Sequence, residues 1–127
     1  MIINHESTAP TIEVTGQFAR KLTVLLSPAL NPELTSLAAG LSILPPASKS
    51  DGHLHSEGEM FYVVSGKGQI SVGDEQEDVL PGSAVWGPPH VYHQIINNGK
   101  DTLRVLWVLC PPGREVDIIK KSYEQNK

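Results

Sequence analysis

Ten prolines and eleven glycines divide this chain of 127 residues into runs that favour short strands and turns over a helical bundle. Thr11–Val14 alternates, and Arg20–Leu26 is closed by Ser27-Pro28. Residues 34–44 read as a longer strand in which Gly40 marks a bulge or a close approach of backbones. Further strands are expected over 60–64, 69–72, 75–80, 84–86, 90–97 and 102–109. Ser65-Gly66-Lys67-Gly68, Gly73-Asp74, Pro81-Gly82 and a hairpin turn at Asn98-Gly99 separate them. After Pro111-Pro112-Gly113, Val116, Ile119 and Tyr123 recur at helical spacing, which predicts a short C-terminal helix over 115–123. Many short strands at regular spacing indicate an all-β, antiparallel sandwich or barrel. The length suits one domain, read as a flexible N-terminal arm over 1–10 and a barrel over 11–127.

Composition removes several function classes. A net charge of −4 offers no basic stripe for phosphates, so no nucleic acid partner is expected. No apolar run approaches the length of a membrane span, and Met1 to Ser7 has neither a basic region nor an apolar one. Cys110 is the one cysteine, which rules out an internal disulfide framework and fits a reducing, cytoplasmic compartment.

The chemistry concentrates in Gly52-His53-Leu54-His55-Ser56-Glu57-Gly58-Glu59. Two histidines at i and i+2 project from one face of an extended strand, and Glu59 re-enters that face after a short kink. Imidazole with carboxylate suits borderline to hard divalent ions. Further on, Gly82-Ser83-Ala84-Val85-Trp86-Gly87-Pro88-Pro89-His90-Val91-Tyr92-His93 supplies His93 as a fourth ligand.

With these residues the chain resembles the cupin superfamily. The first family motif, His-x-His-x3-Glu-x6-Gly, is met by His53, His55, Glu59 and Gly66, and the second by Gly82, Pro88, His93 and Asn97. Two positions depart: where the family usually carries glycine, this chain has Ala47 and His90. Both missing glycines are backbone devices, so the ligand set is untouched. The resemblance implies a small RmlC-like jelly roll, an antiparallel double-stranded β-helix. It also implies a first strand that pairs with a second subunit.

Three imidazoles and one carboxylate around a divalent ion leave a charge of about +1 and, with six-coordination, two open positions. The ion could be Fe, Mn, Ni or Zn, since ligand type does not order them. Phe61, Val63, Ile95 and Asn97 share the ligand-bearing faces and are expected to line a substrate pocket, with Asn97 alternatively serving the turn. His90 is the candidate general acid or base, with a pKa of ~6.5 if unperturbed. Tyr92 reads as a packing residue, Glu57 as solvated, Trp86 and Trp107 as core anchors, and Arg104 as an exposed strand charge.

The expected function is a metal-dependent enzyme on a small oxygenated metabolite: a dioxygenase, lyase, isomerase or decarboxylase. The alternative is a metal-supported binding module for a sugar or small organic acid. Strand 60–64 is apolar on both faces and needs cover, which predicts a homodimer.

Overall fold

Burial alternates along the strands, and that alternation decides the architecture: each strand keeps one face for a shared interior. The computed structural model describes residues 1–126. In chain order it forms β1 (Thr11–Val14), β2 (Arg20–Leu26), β3 (Ala38–Leu44), β4 (Ser48–Lys49), β5 (Gly58–Ser65), β6 (Gly68–Val72), β7 (Glu75–Val79), β8 (Ala84–Gly87), β9 (His93–Asn97), β10 (Leu103–Cys110) and α1 (Glu115–Gln125). One sheet runs β1-β2-β3-β10-β5-β8 and the other β4-β9-β6-β7. Every pairing is antiparallel. The fold is the expected all-β jelly roll with one short C-terminal helix.

The interior is apolar and tight. Leu44, Val63, Leu103 and Val105 are wholly buried and pack with Phe61, Ile70, Ile95 and Trp107. Each such side chain stabilises the fold by about 1.5–3 kcal/mol relative to exposure. Gly40 is the predicted close approach: a Cβ there would collide with the Thr23 carbonyl and the Trp107 ring. On β5, Phe61 and Val63 point inward, while Tyr62 and Val64 are 41% and 46% exposed on the outer face.

Three expectations need correcting. From β3 onward the chain changes sheet at every connection except β6–β7, so Asn98-Gly99 closes no hairpin. It carries the chain from β9 in one sheet to β10 in the other. The longer strand expected over 34–44 begins at Ala38, because the loop after Pro32 continues through the bend at Ser36. The strand expected from His90 begins at His93, because His90 takes φ +63° and holds the chain in a turn.

The helix forms but turns a different face inward. Glu115, Ile119 and Ser122 are buried, whereas Tyr123 is 63% exposed. Glu115 anchors it: the Ser27 hydroxyl donates to Oε2 and the Gly113 N–H to Oε1, both at 2.6 Å. Residues 1–10 are tied to the rest of the chain at several points, among them the Val24 N–H donating to the Pro10 carbonyl at 2.9 Å and Asn4 Nδ2 to Asn31 Oδ1 at 3.0 Å. Asn4 Nδ2 donates to the Leu25 carbonyl at 2.7 Å, and Arg104 pairs with Glu6 at 2.8 Å. Among the described residues, no helix is long and apolar enough to cross a membrane.

Candidate metal centre

The stretch from His53 to Glu57 is a loop, not the extended strand expected. Its regular backbone contact is a single bridge, in which the His93 N–H donates to the His53 carbonyl at 3.1 Å and the His53 N–H to that of His93 at 3.4 Å. The His90 N–H donates to the His55 carbonyl at 2.7 Å. His90 and Ala47, the two positions that depart from the glycine pattern, both have positive φ, 63° and 61°. The backbone shape that glycine permits is thus kept without glycine, at about 1–2 kcal/mol per residue.

Three imidazoles converge. Their ring centroids lie 4.9 to 5.4 Å apart. One ring nitrogen from each of His53, His55 and His93 falls within 4.8 Å of the others. Glu59 joins them from β5: its Oε1 is 3.1 Å from Nε2 of both His55 and His93.

Two of the three outward-facing nitrogens are accounted for. His53 Nδ1 meets the Asp51 carbonyl at 2.8 Å and His93 Nδ1 the Val91 carbonyl at 3.3 Å, so that with an ion bound each ring would keep its proton on Nδ1 and give Nε2 to the metal. His55 Nδ1 is buried without a hydrogen-bond partner. Glu57 Oε1 stands 3.5 Å from it, an ion-pair distance without hydrogen-bond geometry. Once His55 Nε2 is taken by an ion, the remaining proton sits on Nδ1 and faces that carboxylate. Three Nε2 atoms and one carboxylate oxygen are a donor set that fits a divalent transition ion.

Glu57 was expected in solvent; it is buried, with 9% exposure. Its Oε2 accepts the Arg114 N–H at 2.7 Å, joining the histidine loop to the start of α1. Its parity with His55 was the one sequence signal for this. Arg114 carried none, since only the docking of the helix brings it near.

Electrostatics favour the ligand forms. Burial holds the His53 imidazolium pKa down to about 4, reinforced by the Arg114 cation and partly offset by the Asp51 carbonyl. Its lone pair is therefore available at neutral pH. Burial alone would raise the Glu59 carboxyl, but contacts from His55 and His93 outweigh it and hold the pKa at about 2. Asp51 is lowered in the same manner, burial being outweighed by Arg20.

Beside the histidines lies a cavity of about 60 Å³, counted as the space open to the centre of a water-sized sphere. Phe61 and Ile95 line it, with Trp107, Leu109 and Ile118 adding apolar wall. Val63 and Asn97 are not in that wall. Val63 is wholly buried in the core. Asn97 Nδ2 donates to the Leu44 and Asp101 carbonyls at 2.9 Å each and its Oδ1 accepts the Gly99 N–H at 3.0 Å, so its work is to tie down the β9–β10 crossover. His90 is exposed in its turn and is not part of the wall. Tyr92, expected to pack, is 46% exposed, with the hydroxyl end of its ring lying over Gly52. Trp107 is core, but Trp86 is 53% exposed.

A family model described as a cupin domain matches residues 40–109. An uncharacterized protein of Streptomyces coelicolor is 36% identical over 77 residues, 61% of this chain and 72% of that protein. A gentisate 1,2 dioxygenase of Aquipseudomonas alcaligenes is 31% identical over 94 residues, covering 71% of this chain but 27% of the dioxygenase. Among solved structures, a predicted oxalate decarboxylase from Thermotoga maritima superposes with a TM-score of 0.76 at 20% identity, over 87% of this chain and all of that one. That likeness concerns the fold alone.

Proposed function

The chain belongs to the cupin family, and on that premise we propose that it is a metal-dependent enzyme acting on a small oxygenated metabolite. One divalent ion, Fe, Mn, Ni or Zn, is held by His53, His55, Glu59 and His93. The observation that carries this is the convergence of three imidazole nitrogens within 4.8 Å, with Glu59 Oε1 at 3.1 Å from two of them. When bound, the ion supplies Lewis-acid polarisation of a substrate oxygen. The chain's own part is to fix the His53 and His93 rings by their outward Nδ1 contacts, keep Glu59 ionised, and screen the substrate behind Phe61, Trp107 and Leu109.

The 31% identity to a gentisate 1,2 dioxygenase supports an oxygenated small molecule as the substrate without fixing the reaction. Metal analysis of protein purified without chelator or a nickel column should find close to one ion per chain, and turnover of an oxygenated acid should stop on chelation and return on reloading. Metal-free protein from such material would sink the proposal. A binding module is the second reading, favoured by one observation: His90, the candidate acid or base, stands outside the cavity. Unchanged ligand after incubation with metal-loaded protein would select it.

The proposal extends to a homodimer in a reducing compartment. The outer face of β5 and β8 exposes Tyr62, Val64 and Trp86, and Cys110 is a free, exposed thiol. A monomeric mass in sedimentation at micromolar concentration would remove the dimer.

A further inference from the structure

Two arginines line the cavity beside the histidines, Arg20 and the exposed Arg114, whose charge is felt at His53, and they differ in what already occupies them. Arg20 is committed: Nη2 lies 2.6 Å from Asp51 Oδ1 and Nη1 donates to the Phe18 carbonyl at 2.9 Å. Arg114 is not. Its backbone is fixed at the cavity mouth by Glu57 Oε2. Among the described residues, its guanidinium has neither an ion-pair partner nor a hydrogen-bond acceptor. The nearby carboxylates are otherwise engaged, Glu115 by Ser27 and Gly113, Asp51 by Arg20, and Glu59 by two histidines.

A planar fork of donors beside an apolar wall and a metal centre matches one ligand chemistry best. Carboxylate pairs with guanidinium through two parallel hydrogen bonds, and an ion binds a neighbouring oxygen of the same small molecule. A cavity of about 60 Å³ leaves room for a compact acid. A phosphate ester would bring a bulkier, more strongly hydrated group against Phe61 and Trp107.

We propose that Arg114 is the specificity-determining residue of this site, pairing with the carboxylate of a small organic acid whose 2-oxo, 2-hydroxy or ortho-hydroxyl oxygen reaches the ion. This rests on the metal-centre reading above and adds the substrate class to it. Arg114 selects the anion, and the ion receives the second oxygen. Arg20 stays with Asp51 and sets the cavity wall.

The test uses the full chain with the metal it carries as purified, its content read by plasma emission. Calorimetric titration compares pyruvate and salicylate with their neutral amides and with inorganic phosphate. The acids should bind at least ~10-fold more tightly than the amides. Arg114→Gln should close that gap to within about two-fold while metal content and melting temperature hold. Arg104→Gln, which removes a cation paired with Glu6 away from the cavity, should leave the gap intact. The inference is overturned if acid and amide bind alike, if neither acid binds, if phosphate outbinds both acids, or if Arg114→Gln keeps the gap. Protein that carries no metal would instead overturn the metal centre itself, so the two failures are told apart by the plasma reading.

Discussion

The two segments that supply the metal centre are held in opposite ways. His93 leads β9, whose residues pair with β6 along the ladder, and it is 4% exposed. His53 and His55 stand in a loop whose shape comes from outside it: a two-bond bridge to His93, the His90 N–H on the His55 carbonyl, the Tyr92 ring over Gly52, and Glu57 reaching to α1. Strand ladders fix His93 and Glu59 as a by-product of the fold. The loop ligands depend on a few separate contacts, each of which can be removed alone.

That contrast is sharpest at the ligands themselves. His93→Ala and His55→Ala should each weaken metal binding by more than about 100-fold, measured by competition with a chelator. Only His93→Ala should also destabilise the metal-free barrel, since it leaves a hole between the sheets. Equal losses of melting temperature from both would erase the distinction.

Glu57→Gln tests the loop's outer support. It removes the charge facing His55 Nδ1, and metal affinity should fall about 10-fold, toward the low end expected for a ligand's hydrogen-bonded partner. Unchanged affinity would mean that Glu57 serves only the start of α1. Gly52→Ala is milder. A Cβ there occupies the place of the Tyr92 hydroxyl, and because that ring is 46% exposed it can swing into solvent. Metal affinity should drop by a factor of roughly three with little change in unfolding, and Gly52→Ala combined with Tyr92→Ala should do no further harm.

The smallest effect is a gain. Ala47→Gly relieves a left-handed residue, offset by the greater freedom of glycine in the unfolded chain, and should stabilise by about 0.5–1 kcal/mol in urea unfolding. A loss of stability would show that Ala47 is not strained.

Much of the centre was legible beforehand because ligand identity is a local property. His53, His55 and Glu59 lie within one short stretch, and His93 sits at a fixed distance after Gly82 and Pro88. The strand runs were legible for the same reason: Gly and Pro mark where a backbone can turn, whatever it later packs against. Asn98-Gly99 is legible as a turn, but the opposite sheet into which it leads is not. Turn chemistry is written in adjacent residues, whereas the partner of the next strand is chosen by which apolar face it must bury.

The rest required the chain to close on itself. Asn97 reads as a pocket residue until its side chain is seen satisfying Leu44, Gly99 and Asp101. Glu57 reads as solvated until Gly113 and Arg114 arrive from far along the chain to cover it. By itself the sequence determined which donor atoms are available and where the backbone turns. The tertiary structure alone decided which of those atoms meet, because burial and ion pairing join groups with no fixed relation along the chain.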